Sequence, residues 1–381
     1  MHKSLRSWPY RKVFLTGGTG LIGGQILREM LELAAVEEVT CLVRAANGQR
    51  GSERLSARLE KSGLSGPELR KALARVRPIE GEITLGLWDI KPDELHRLRN
   101  ETELLIHCAA STSFVDVDSC EAMNVKGTKH LLEVIEGCEK LKRLVHFSTA
   151  TLCGYKPNAV VKEQDSPSEK DKHLVAYTRT KAQAEQILWE KRQELPLLVV
   201  RPSITMAQGS EDPKQARLFL WSLYAMAQLP FVPVKTESLI DIVTLDFVVK
   251  CTLRLIAKGE KLAHDCYHLT AGQMASVSAG EVKEAIKRVS KEEIGPQFIP
   301  PEQWNRSHEK ALEEQGLSSL YESLLYLPFI NLNLIYDNSR LLDELGDDLP
   351  HLPKFTEYVG QMLRVITPER MLPDSLQGFG I

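Results

Sequence analysis

The chain has 381 residues, 43% of them hydrophobic and 26% charged, ordinary globular values at a length that suits one large α/β domain plus a smaller subdomain. A net charge of -3 argues against a nucleic-acid-binding surface, and seven scattered cysteines without a CxxC pair indicate neither a disulfide framework nor a metal site. The opening MHKSLRSWPYRK has no apolar signal region, and no apolar run approaches the roughly 18 residues of a membrane span, so the expectation is a cytoplasmic protein without a membrane span.

The stretch Val13–Gly24, VFLTGGTGLIGG, reads as a short strand, a glycine turn and the start of a helix. Gly17, Gly20 and Gly23 are spaced GxxGxxG. The first allows a tight turn, the second lets backbone approach a pyrophosphate, and the third lets helix and strand pack closely. The helix N-terminus then presents N–H groups and a positive dipole to the anion. Thr19, Leu21 and Ile22 lie in the same turn and count with it as cofactor-binding positions.

Apolar residues at helical spacing run over Leu21–Leu33, and Glu38–Val43 is a strand, so the unit is β-α-β. Arg44 follows directly, where an acid would hold the ribose hydroxyls of NAD. A guanidinium there suits a 2′-phosphate instead, so the predicted cofactor is NADP(H). Residues 50–75 read as helical with a break at Gly63–Pro67, Val76–Ile83 as a strand with Glu82 near the adenine edge, and Pro92–Arg99 as a short helix. Leu104–Cys108 is a continuous apolar strand ending in the small Ala109 and Ala110, which would let backbone approach a bound ribose. Cys120–Gly137 is a long helix containing Asn124. Leu144–Phe147 is a strand running into Ser148 and Thr149, Val175–Gln193 is helical, and Leu197–Val200 is a strand followed by Arg201, Pro202 and Ser203. This alternation predicts a doubly wound parallel sheet with ligands at the strand C-terminal ends.

Beyond residue 205 the alternation loosens. Gln215–Gln228 reads as helix, LPFVPV as extended, Ser238–Ile242 as strand, Leu245–Ala257 as helix, Cys266–Leu269 as strand, and Ser278–Val289 as a helix capped by Ser278. Residues 300–381 read as helical, interrupted by prolines.

Tyr177 and Lys181 in AYTRTKAQAE stand at i and i+4, on one helix face. An ammonium beside a phenol is expected to lower the tyrosine pKa and so make it an acid–base group near neutral pH. The pair opens the helix after the strand that ends in hydroxyl residues.

TGGTGLIGG, HCAA at 107–110, NVKGT at 124–128, HFSTA at 146–150, YTRTK at 177–181 and VRPSI at 200–204 occur in the order of the extended short-chain dehydrogenase/reductases. The chain resembles that superfamily over about residues 10–250. LVRA, STA and YTRTKAQAE are similar to its fatty acyl-CoA reductase and thioester reductase branch. The resemblance implies a Rossmann-type NADP-binding domain over 10–205, with elements from 240–270. It leaves 206–239 and 271–381 as a smaller, mainly helical substrate-binding subdomain. It implies Thr149, Tyr177 and Lys181 as the catalytic triad, with Ser148 as the alternative hydroxyl. It places Arg44 on the 2′-phosphate, Ala109 and Ala110 on the ribose wall, and Pro202 with Ser203 on the nicotinamide. Asn124 matches the asparagine of the NV-x-GT motif, and Lys181 would also bond the ribose. The loop TMAQGSEDPKQAR and the C-terminal half depart from the eukaryotic members of the branch.

The resulting expectation is an NADPH-dependent reductase of a carbonyl, foremost a fatty acyl thioester of CoA or an acyl carrier protein, taken to an aldehyde that a second cycle could reduce to alcohol, with aldehyde and alcohol both open as the product. Two alternatives stand beside it. One is a hydroxy/keto oxidoreductase of 3β-hydroxysteroid or dihydroflavonol type, and the other a non-catalytic NADP sensor or scaffold. Monomer and homodimer are both open. The apolar stretches Leu218–Leu229 and Leu317–Leu334 would line an acyl channel or simply pack a core.

Overall fold

A computed structural model describes residues 5–365 except 6, 46–47, 169, 208–216 and 291–294. Seven parallel strands form one sheet: β1 (Lys12–Thr16), β2 (Glu38–Val43), β3 (Val76–Glu80), β4 (Leu104–His107), β5 (Arg143–Phe147), β6 (Leu197–Pro202) and β7 (Cys266–Leu269). Their spatial order is β3-β2-β1-β4-β5-β6-β7, the doubly wound arrangement expected from the sequence. β4, β5 and β6 are buried at every position, which is why they read as continuous apolar runs. The strand order reverses between β1 and β4, so the loops after them part and open a crevice.

Helices cover both faces. On one, α1 (Leu21–Leu31), α2 (Gly51–Lys61) and the helix Leu245–Ala257 pack through Ile26, Leu27, Leu55, Phe247 and Leu255. On the other, Leu95, Leu98, Leu131, Val134 and Leu188 come from three helices, the last of them α3 (Ala176–Glu190). A separate core joins α4 (Arg217–Gln228), α5 (Ala279–Ser290) and the helix Phe355–Val365, with Phe219, Trp221, Val282, Phe355 and Val359 buried in it.

Several expected elements differ in detail. The third strand stops at Glu80, because residues 81–90 turn back through left-handed Leu87, Trp88 and Asp89, with φ of 49, 56 and 52. That turn buries Trp88 completely, its indole N–H donating to Gly127 O at 3.2 Å. The helix expected from Cys120 starts at Val117 and passes through a π-helical turn at Glu121–Lys126. The strand expected over Ser238–Ile242 is two short strands, Leu239–Ile240 and Ile242–Thr244, interrupted at Asp241. Ser278 caps α5 as expected, accepting from Glu281 N while its own N–H donates to the Glu281 carboxylate. The segment after 300 is short helical pieces with a strand at Ile335–Tyr336, since its prolines block longer helices. Residues 208–216 of the loop TMAQGSEDPKQAR and residues 366–381 lie outside the described residues.

Candidate active site

The glycine turn is set by close contact. Gly17 takes φ +75, and a Cβ there would lie 2.7 Å from Ala109 N, so only glycine lets β1 end this near the end of β4. A Cβ on Gly23 would fall inside contact distance of Gly17 O, which is the helix–turn closeness expected of the third glycine. Gly20 N–H closes the turn onto Gly17 O at 2.9 Å. Thr16 Oγ1 accepts from the N–H groups of Cys108 and Ala109, both at 3.2 Å, and bonds His107 Nδ1 at 2.9 Å. Ala109 and Ala110 are thereby held against the turn.

A cleft of about 880 Å³ runs across these strand ends. Thr19, Gly20, Leu21, Ile22 and Gly23 border its middle, together with Gly17, Ala109 and Ala110. At one end stand Arg44 and Arg54. Arg44 faces Glu82 at 3.6 Å, and Arg54, from α2, donates to Arg44 O at 2.6 Å. Burial, and secondarily the neighbouring Arg44, pull the Arg54 pKa down. Two like charges thus stand side by side at this end of the cleft, with the Glu82 carboxylate facing one of them. Arg54 escaped sequence reasoning; its only signal was an arginine in the helix after Arg44.

At the other end stand Ser148, Thr149, Tyr177, Lys181, Pro202 and Ser203. Tyr177 and Lys181 do share one face of α3. Thr149 hydrogen-bonds Tyr177, and its Oγ1 lies 3.0 Å from Thr151 Oγ1. Lys181 Nζ donates to Phe147 O at 2.5 Å, and burial lowers its pKa to about 8. The expected lowering of the Tyr177 pKa is overturned. Burial pushes it up to about 12, outweighing the Thr149 hydrogen bond, while the Lys181 ammonium is engaged by a carbonyl. Tyr177 is therefore a neutral phenol. Ser148 borders the cleft with its buried Oγ unpaired, whereas Thr149 is the hydroxyl that reaches Tyr177.

Asn124 lies behind the cleft, not on its wall. Its amide accepts from Ser111 N at 2.9 Å and donates to Ser111 O and Thr180 Oγ1, both at 3.0 Å. The expected direct cofactor contact gives way to a tie between the loop after β4 and the helix that carries Tyr177. Asp241 is a second residue missed by the sequence reading. Buried at the cleft wall, it accepts from Ser203 Oγ at 2.5 Å, Ala271 N at 2.8 Å and Gly272 N at 3.0 Å, and burial raises its pKa to about 6. An acid inside the apolar run SLIDIV was the available signal.

Beyond Tyr177 the wall is aromatic. Phe114 stacks on Tyr177 at 6.1 Å and meets Tyr326 at 5.0 Å and Phe329 at 5.3 Å, while Phe219 meets Tyr326 at 5.4 Å. Leu218, Phe219, Ile330 and Leu334 of the two apolar stretches border the cleft, and Leu220, Trp221, Leu223 and Leu327 pack the separate core. Among the described residues no cluster of three metal-ligating side chains occurs and no helix is long and apolar enough to cross a membrane.

A nicotinamide dinucleotide fits this cleft on three observations: the side-chain-free glycine cradle, the paired arginines, and the unpaired buried Ser148 hydroxyl.

Comparison with known proteins agrees with this geometry. The family profile described as Male sterility protein matches residues 15–252. The nonribosomal peptide synthetase asaC of Aspergillus flavus is 28% identical over 260 residues, 64% of this chain and 24% of that protein. The fatty acyl-CoA reductase wat of Drosophila melanogaster is 27% identical over 228 residues, 52% of this chain and 44% of that protein. The chain thus matches less than half the length of either relative. Among solved structures, the terminal R domain of the myxalamid PKS-NRPS pathway has a TM-score of 0.77 at 22% identity, over 93% of this chain and 90% of that one. A thiolation-reductase di-domain of an archaeal nonribosomal peptide synthetase has a TM-score of 0.73 at 20% identity, over 96% and 80%. At these identities the two structures show the fold. With its profile match, motif order and sheet topology, the chain belongs to the male sterility protein family, in the thioester reductase-like branch of the extended short-chain dehydrogenase/reductases.

Proposed function

We propose that this chain is an NADPH-dependent reductase of acyl thioesters. The observation that carries the reading is a single cleft with an arginine pair at one end and the Thr149, Tyr177 and Lys181 cluster at the other, on either side of the glycine turn. Gly17, Thr19, Gly20, Leu21, Ile22 and Gly23 would hold the pyrophosphate, with Arg44 and Arg54 on the 2′-phosphate. Ala109 and Ala110 would wall the ribose, and Pro202 and Ser203 would meet the nicotinamide, with Ser203 fixed by Asp241. Lys181 would reach the nicotinamide ribose. Residues 206–239 and 271–381 would form the substrate-binding part.

NADPH, when bound, supplies a hydride to the substrate carbonyl carbon. Thr149 and Tyr177 point hydroxyl groups at the carbonyl oxygen and stabilise the negative charge that develops there. Tyr177, neutral in the free protein, gives up its proton to that oxygen, and Lys181, on turning from Phe147 O, would stabilise the phenolate left behind. From a thioester the product is a thiohemiacetal, which releases thiol and aldehyde; a second round would give the alcohol. The thiol carrier is CoA or an acyl carrier protein, a reading supported by the thiolation-reductase di-domain likeness.

The test is NADPH consumption with a long-chain acyl-CoA, an acyl carrier protein thioester, an aldehyde and a ketone. Turnover of the thioesters is expected. Turnover of the ketone alone would replace this reading with a hydroxy/keto oxidoreductase.

A further inference from the structure

The catalytic cleft has a neighbour. A second cavity of about 40 Å³ lies between α4 and α5, walled by Leu223, Met226, Ala227, Val282, Ile286 and Phe298. Ile240 and Ile330 border both spaces, so two buried aliphatic side chains separate them. At the far end Lys283 Nζ donates to Pro296 O at 2.7 Å and lies 4.8 Å from the Phe298 ring centre. The cavity therefore adjoins the active cleft at two aliphatic side chains, and its lining is apolar apart from Lys283 and Lys287.

The space is half open to solvent, so its apolar walls are wetted when nothing fills it, and an apolar occupant gains by covering them. A pantetheine arm is a poor occupant, since its amides would find no hydrogen-bond partners on these walls. A hydrocarbon needs none. We propose that this cavity receives the distal methylenes of the acyl chain and that Ile240 and Ile330 form the gate that sets acyl length. The inference rests on the thioester reading above. At 10–15 Å³ per small group, the space holds about three methylenes. Each buried methylene strengthens binding about fourfold, so tails that fill it gain about 60-fold over tails that stop at the gate.

The experiment uses the full chain and a saturated acyl series from butyryl to stearoyl, each presented on CoA and on an acyl carrier protein. It reads kcat/KM and, separately, equilibrium binding without cofactor. Ala227→Phe fills the cavity from α4 without bordering the catalytic cleft, and Ile286→Trp does so from α5 if the first variant fails to fold. The expected result is butyryl-CoA values within about twofold of wild type and loss of the roughly 60-fold gain on the long tails. Ile330→Ala should extend the preference to longer chains. Parallel profiles for wild type and Ala227→Phe overturn the proposal, and so does an equal loss on butyryl-CoA. Length-dependent binding without reduction, abolished by Ala227→Phe, keeps the tail site and refutes the reductase. Reduction with an unchanged length profile does the reverse, and a wild type that neither binds nor reduces any of these thioesters, on CoA or on the carrier protein, refutes both.

Discussion

Arg44→Ala and Arg54→Ala test the phosphate end of the cleft. A hydrogen bond to a charged group contributes about 1.5–3 kcal/mol when solvent is excluded. Arg44 has a side chain 58% exposed and already faces Glu82, so screening and competition reduce its net share to about 1.4 kcal/mol, or tenfold in the NADPH Kd. Arg54 is less exposed, and its guanidinium is anchored on Arg44 O, so little ordering remains when an anion arrives. Its loss should cost about 2 kcal/mol, or about 30-fold. The two effects should combine less than additively, because both groups serve one phosphate. Glu82→Gln should tighten NADPH a few-fold by freeing Arg44. NADH, which has no 2′-phosphate, should be nearly indifferent to all three changes. Calorimetric titration of both cofactors at low and high salt is the assay, and the NADPH preference should shrink as salt rises. Equal losses for NADPH and NADH would refute the reasoning and return both arginines to ordinary surface positions.

Tyr177→Phe should lower kcat by about 10²–10⁴ while leaving NADPH binding nearly intact, as judged by turnover and titration side by side. The Glu185–Arg201 pair is fully buried where α3 crosses β6, one turn from Lys181, so Arg201→Met alone should cost about 3–5 kcal/mol in denaturant unfolding. The double change Glu185→Leu with Arg201→Met should recover most of that loss. His107, His146 and His268 are buried, and their pKa values are depressed first by desolvation, to about 3 for His107 and His268. The unfolded chain binds protons on them below about pH 6.5 and the folded chain does not, so they withdraw stability as pH falls. Asp241, raised to about 6, and Glu163, raised to about 7, take up protons in the folded state and oppose this. The net expectation from pH 6 to pH 5 is a loss of about 1 kcal/mol, visible as a falling Tm. A Tm that rises over that interval would contradict it.

The sequence was most legible where local rules act alone. Glu38–Val43, Leu245–Ala257 and Cys266–Leu269 end where the apolar pattern ends. The glycine spacing located the cradle because Gly17 and Gly23 meet backbone a few residues away or at a neighbouring strand end. The i, i+4 rule put Tyr177 and Lys181 on one face. The third strand, read as reaching Ile83, was cut short by a left-handed turn whose purpose is to bury Trp88 against His107, a partner distant in the chain.

What the sequence by itself determined is the set of elements, the place of the dinucleotide turn and the residues gathered at the strand ends, since these depend on periodicity, small-residue spacing and helix geometry. Tertiary structure alone decided which groups are dry and what faces them. It brought Arg54 beside Arg44, tied Ser203 to Asp241, turned Asn124 away from the cleft, and raised the Tyr177 pKa where neighbour counting predicted a fall. The reason is that desolvation is imposed by every element packed around a group, and most of those elements are remote in sequence.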